Sequence, residues 1–166
     1  DNDRAHGAGT YEKASGGIYR GQWYQDQKRG FGSEVWADGS CYNGEYLGGK
    51  KHGNGSYWSP NGVSYEGQFE RDKMHGHGTY TFKDDRKYNG QWREGHVSGC
   101  GKMSWPSGAA YEGAYVEGVK EGEGRMTWPD GREYAGQWEG NLQHGEGTMT
   151  DVSNHMTRGV WRLRAP

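Results

Sequence analysis

Histidine and glycine are the residue types in this chain whose spacing could carry chemistry. Histidine recurs as His6, His52, His75 and His144, each directly before a Gly-x-Gly pair, which would suit a ladder of metal ligands. Equivalent positions on neighbouring hairpins lie two strands apart, roughly 10 Å, whereas zinc ligands all sit about 2 Å from one ion. His75 and His77 share a face, but no third and fourth ligand accompany them in their stretch of chain. The histidines therefore read as surface groups between charged neighbours, and a metal would have to be completed by a second molecule.

The glycine pairs are Gly7/Gly9, Gly30/Gly32, Gly53/Gly55, Gly76/Gly78, Gly99/Gly101, Gly122/Gly124 and Gly145/Gly147. A phosphate cradle needs a strand, a Gly-rich turn and then a helix N-terminus. No helical period follows any of these pairs, so they are assigned to strand packing. No Ser/His/Asp or Cys/His set stands out, and Glu112, Glu117, Glu121 and Glu123 read as a solvated stretch. The sequence predicts no catalytic residue, no metal site and no cofactor.

The pairs belong to a repeat of 23 residues that opens at Tyr19, Tyr42, Tyr65, Tyr88, Tyr111 and Tyr134. A fixed period of this length marks a stacked array of one supersecondary unit. The boundaries are a partial repeat over 1–18, repeats over 19–41, 42–64, 65–87, 88–110, 111–133 and 134–156, and a terminal cap over 157–166. Mean hydropathy is -1.23, which by itself points toward disorder. The net charge of -2 removes the self-repulsion of disordered chains, and 8 Trp with 12 Tyr supply the apolar area that aliphatic residues lack. The core is expected to be aromatic rings against glycine.

Counting the opening Tyr as position 0, position 2 is Gly throughout and position 4 is aromatic: Trp23, Tyr46, Phe69, Trp92, Tyr115, Trp138 and Trp161. Alternation of aromatic, Gly and aromatic with period two is a strand pattern. A second strand follows from each Gly-x-Gly pair, so each repeat is a hairpin. Its turn is read at Gln25-Asp26-Gln27, Gly49-Lys50, Asp72-Lys73 and Asn141-Leu142, residues that tolerate positive φ. That loop places the position-4 aromatic opposite the first Gly of the pair, and the position-2 Gly opposite the second. Between repeats, Ala37-Asp38-Gly39, Pro60-Asn61-Gly62, Pro106-Ser107-Gly108 and Pro129-Asp130-Gly131 suit three-residue loops ending in a bulge. Asp85 and Asn154 replace that last Gly and also visit the left-handed region, so those turns are expected to survive.

With this parity one row of the sheet holds Tyr and Met, including Tyr57, Tyr80, Met103 and Met126; one is entirely Gly; and one alternates aromatic with Gly. Thr157 and Asp151 weaken the last copy, and Trp161 to Pro166 reads as its cap. On the opposite face Tyr24, Phe31, Val35 and Trp58 interrupt mostly polar positions, while Glu34 occupies an inward place. They mark either packing against upstream repeats or a second contact patch.

The pattern YxGxW, GxG, DGxxY closely resembles the MORN repeat (membrane occupation and recognition nexus) over residues 1 to 166. The resemblance implies an elongated, curved single-layer antiparallel meander, about seven solenoid-like hairpins, acting as a scaffold at cytoskeletal, axonemal or membrane-associated structures. Some relatives are assigned anionic-lipid binding, and others carry the repeats beside lipid-kinase or methyltransferase domains.

A single sheet must cover its apolar face, and a concave aromatic groove left open would be a partner site. Tyr65, Phe69, Tyr88, Trp92, Tyr111, Tyr115, Tyr134 and Trp138 are the expected partner-binding residues, and the partner is a protein or a second copy of the chain. The alternatives are a membrane adaptor for anionic phospholipid, using Lys50, Lys51, Arg71 and Lys73, or an array that positions an enzyme elsewhere in a parent chain. Nucleic acid is disfavoured by a sequence pI of about 6.4 without a basic stripe, and no small-molecule substrate is indicated. No apolar run approaches the ~20 residues of a membrane span, Cys41 and Cys100 form no disulfide framework, and no leader pattern opens the chain. The protein is expected to be cytoplasmic and a piece of a longer one, since it begins partway through a repeat.

Overall fold

The computed structural model describes residues 3–164, as two units divided between Lys83 and Asp84. The first holds β1 (Gly7–Glu12), β2 (Ile18–Tyr24), β3 (Gln27–Val35), β4 (Cys41–Leu47), β5 (Lys50–Trp58), β6 (Ser64–Glu70) and β7 (Lys73–Thr81). The second holds β8 (Lys87–Arg93), β9 (His96–Ser104), β10 (Ala110–Val116), β11 (Val119–Thr127), β12 (Glu133–Glu139), β13 (Leu142–Thr150) and β14 (Met156–Arg164). The protein is all-β, a single-layer antiparallel meander of fourteen strands in sequence order, with no helix among the described residues. The terminal residues Ala165 and Pro166 of the expected cap lie outside the described residues; the rest of the cap is most of β14.

Both turn types form. Asp38 and Asn61 cap their three-residue loops with Asx bonds to Ser40 and Val63, and Asp85 and Asn154 take φ of 67° and 64° in the place of the bulge Gly. The hairpin turn lies one residue earlier than the sequence reading in three repeats. The loop pairs are Gly48-Gly49, Arg71-Asp72 and Gly140-Asn141, both members at positive φ, as they are at Gln25-Asp26. Two consecutive left-handed residues make the turn whose twist matches the flanking strands.

The earlier turn shifts the start of each hairpin, and a bulge restores the register. Trp23 pairs with Lys28, not with Gly30, yet Gly21 still pairs with Gly32. The offset is absorbed at the first Gly of the pair, which adopts φ of 67° at Gly30 and 91° at Gly99. The residue facing the position-4 aromatic within its hairpin is therefore at position 9: Lys28, Lys51, Met74, Val97, Lys120 or Gln143. The aromatic meets the first Gly only across the repeat boundary, as in Gly53↔Phe69 and Gly122↔Trp138.

Each bulge leaves one strand N–H without a ladder partner, and position 3 supplies an acceptor. The Gln91 side-chain oxygen takes the Cys100 N–H at 2.7 Å, Gln68 takes that of His77 at 2.8 Å, and Gln137 takes that of Glu146 at 2.9 Å. Repeat 111–133 has Ala114 there and lacks this clamp. Ala114→Gln is expected to stabilise the second unit by about 1 kcal/mol, the worth of one hydrogen bond. Slower amide exchange at Glu123 would show the bond has formed; unchanged exchange would refute the clamp.

Candidate functional site

The Tyr and Gly rows build the aromatic face. Gly21, Gly32, Gly44, Gly55, Gly67 and Gly78 face one another in one unit, as do Gly90, Gly101, Gly113, Gly124, Gly136, Gly147 and Gly159 in the other. Each opening Tyr lays its ring over that row and donates its hydroxyl to the position-3 carbonyl of its own strand, at 2.7 Å for Tyr65 and 2.9 Å for Tyr111. Within a unit each such ring also makes edge contacts to the position-4 aromatics of its own and the next repeat. Centroids are 5.0–5.6 Å apart and ring planes 72–90° apart. Burial pushes the Tyr65 and Tyr88 hydroxyls up to about 12, so they stay neutral donors.

This packing fills the groove expected from the sequence. Tyr65, Phe69, Tyr88, Trp92, Tyr111, Tyr115, Tyr134 and Trp138 are all less than a tenth exposed. The position-4 rings lean over the Tyr rings because the glycines beneath offer no side chain to hold them off. Substitutions at these eight positions remove core area worth several kcal/mol each before they touch any partner.

An open depression lies on the other face of the first unit. A trough of about 950 Å³ crosses β2 to β7, floored by the Gly row and walled by Arg20, Ser33, Asn43, Ser56, Glu66 and Thr79. Asn54 and His77 line it as well, with Phe31, 69% exposed, on one margin. One row beyond the wall of Arg20, Ser33, Asn43 and Ser56, Ile18, Val35, Cys41 and Trp58 are register neighbours, and Val35 and Trp58 are each about half exposed. The four apolar residues singled out in the sequence thus all reach the surface, Tyr24 against His6 in an edge contact at 5.5 Å. The trough was not legible as such, although the run of small side chains at Ser33, Ser56 and Thr79 beside the Gly row is a signal for it.

Charge is distributed differently on the two faces. Glu34, 3% exposed, occupies the Tyr and Met row and accepts from Lys13, from Lys28 at 2.6 Å and from the Tyr46 hydroxyl at 2.8 Å. Burial alone would raise its pKa, but those three donors outweigh it and hold the carboxyl below its ordinary value. Of the four lysines and arginines expected to meet lipid, Lys50, Arg71 and Lys73 are exposed. Lys51 instead lays its ammonium over Trp36 and Tyr42, 5.0 and 5.5 Å from the ring centroids. His75 and His144 each face a strand-end carboxylate, Glu70 at 3.2 Å and Glu139 at 3.1 Å. No group of three potential metal ligands occurs among the described residues.

No curated protein matches the chain. Among solved structures, the SAS-4 TCP domain of Drosophila melanogaster, bound to a proline-rich motif of Ana2, superposes with a TM-score of 0.55 at 7% identity, over 93% of this chain and 90% of that one. The TCP10 domain of Danio rerio CPAP matches at a TM-score of 0.33 and 11% identity, over 93% of this chain and 84% of that one. The first of these likenesses shows a shared fold. The MORN repeat model matches residues 1–18, 19–41, 42–64, 65–85, 88–110, 111–131 and 134–156, so nearly the whole chain is accounted for and the protein belongs to the MORN-repeat family.

Proposed function

We propose that this chain is a non-enzymatic scaffold that holds an extended segment of a partner protein in the trough of the first unit. The observation that carries this reading is the trough itself, open along its length, with the exposed ring of Phe31 on its margin and Trp58, about half exposed, two residues beyond Ser56 of its wall. It spans six strands, about 24 Å at the usual strand spacing, which accommodates roughly seven extended residues. A segment lying across strands finds the sheet's own N–H and C=O groups already laddered, so it gains little from main-chain pairing. A polyproline II segment asks for none, carries little ordering cost and docks on aromatic margins. The fold neighbour captured with a proline-rich motif supports that class of ligand.

An array of proline-rich 12-residue peptides, probed with the protein and with Phe31→Ser/Trp58→Ser, tests the reading. The expected result is retention of a subset by the unsubstituted chain and at least tenfold weaker binding by the double variant, with its circular dichroism unchanged. Equal retention by both would refute it. A second copy is the rival occupant, and sedimentation velocity across a wide concentration range would reveal it as a dimer that Trp58→Ser dissolves.

A further inference from the structure

Position 9 carries a lysine in three repeats, as Lys28, Lys51 and Lys120, all on the aromatic face. Lys51 lies over rings alone, those of Trp36 and Tyr42, and a carboxylate joins the rings at Lys28. The Lys28 Nζ lies 4.9 Å from the centroid of Tyr19 and 5.5 Å from that of Tyr46, and the remaining side is taken by the Glu34 carboxylate at 2.6 Å. Aromatic rings and one carboxylate together complete the site.

Lys120 has the rings without the carboxylate. Its Nζ lies 5.2 Å from the centroid of Trp105 and 5.1 Å from those of Tyr111 and Trp138. The position that supplies Glu34 in the earlier repeat holds Met126 here, and no ion pair or side-chain hydrogen bond reaches Lys120 Nζ among the described residues. Ring faces attract the charge but accept hydrogen bonds poorly, so the three N–H donors of a half-buried ammonium lack strong acceptors. Burial lowers the Lys120 pKa, the direction expected for a cation that has lost water and gained no anion.

We infer that Lys120, framed by Trp105, Tyr111 and Trp138, receives an acidic side chain of a bound protein segment on the aromatic face of the second unit. A carboxylate fits because a single ammonium faces it, and because the chain itself places a carboxylate on one of the two equivalent lysines, Lys28. The flat array of a lipid surface suits protruding basic groups, whereas this ammonium is set among three rings. The site is separate from the trough of the first unit, and its test does not involve that trough.

The test is a titration of the whole chain, labelled with ¹³C at lysine, with acetyl-Gly-Glu-Gly-amide and with its Gln counterpart. The expected result is a saturable shift of the Lys120 Cε resonance with the Glu peptide, at least threefold larger than that of exposed Lys50 and absent with the Gln peptide. Lys120→Met, which installs the residue found at the same position as Met74, should keep the fold and abolish the saturable binding. A Lys120 shift no larger than that of Lys50, or equal shifts with both peptides, would overturn the assignment. So would a Lys120 response to anionic phosphatidylserine vesicles in the absence of any response to the Glu peptide.

Discussion

Gly113→Ala is expected to destabilise the second unit by about 3 kcal/mol, at the top of the range for overpacking. The added methyl would lie 2.5 Å from the Gly124 Cα and 2.6 Å from the Glu123 carbonyl oxygen, both backbone atoms that cannot rotate away, and 2.9 Å from the Tyr111 hydroxyl. Gly118→Ala, five residues along in the same hairpin, meets nothing within 4 Å. It pays only for a non-glycine residue at φ of 82°, about 1 kcal/mol. Urea unfolding, with amide exchange followed at Gly124 and Arg125, separates the two. Equal losses would mean that the Gly row serves chain flexibility instead of ring packing.

Glu34→Gln should cost the first unit about 2–3 kcal/mol. Breaking a buried ion pair typically costs 3–5 kcal/mol because a charge is left uncompensated. The smaller figure applies because the Lys13 and Lys28 side chains are 22% and 19% exposed and can turn toward water. The same carboxylate gives a pH dependence. Since its folded pKa lies below the ordinary 4.5, its contribution is complete above that value and is lost as pH falls through the folded pKa. Unfolding midpoints of the unsubstituted chain and of Glu34→Gln should therefore converge in acid and stay apart at neutral pH. A constant gap at every pH would show that the charge of Glu34 is not what holds the cluster together.

Much of the fold is legible in the letters. The pairing of Gly21 with Gly32, of Tyr111 with Met103 and Met126, and the left-handed Asp85 and Asn154 all follow from period and turn chemistry. The place of the hairpin turn and the burial of the aromatic face escape the letters for one shared reason. Gly99 and Gly101 are the same letter with different duties: the first takes φ of 91° in a bulge, the second leaves room for the Tyr88 ring. Identity alone cannot say which glycine bends the chain and which one yields space. The bulge moves the turn by a residue and brings position 9 opposite the position-4 aromatic. Likewise Glu34 was placed inward by parity, but the lysines that make its burial tolerable sit 21 and 6 residues away, and only the register brings them to it.

The hydroxyl bond of each opening Tyr stays within four residues of its own strand, and its ring contacts extend no further than the next repeat. Gene duplication or unequal recombination that inserts or removes one whole 23-residue copy thus hands every remaining ring an equivalent neighbour. A change in length inside a strand, by contrast, strands a Tyr beside the wrong row. The array can thus change size by whole 23-residue steps without a new core having to be built.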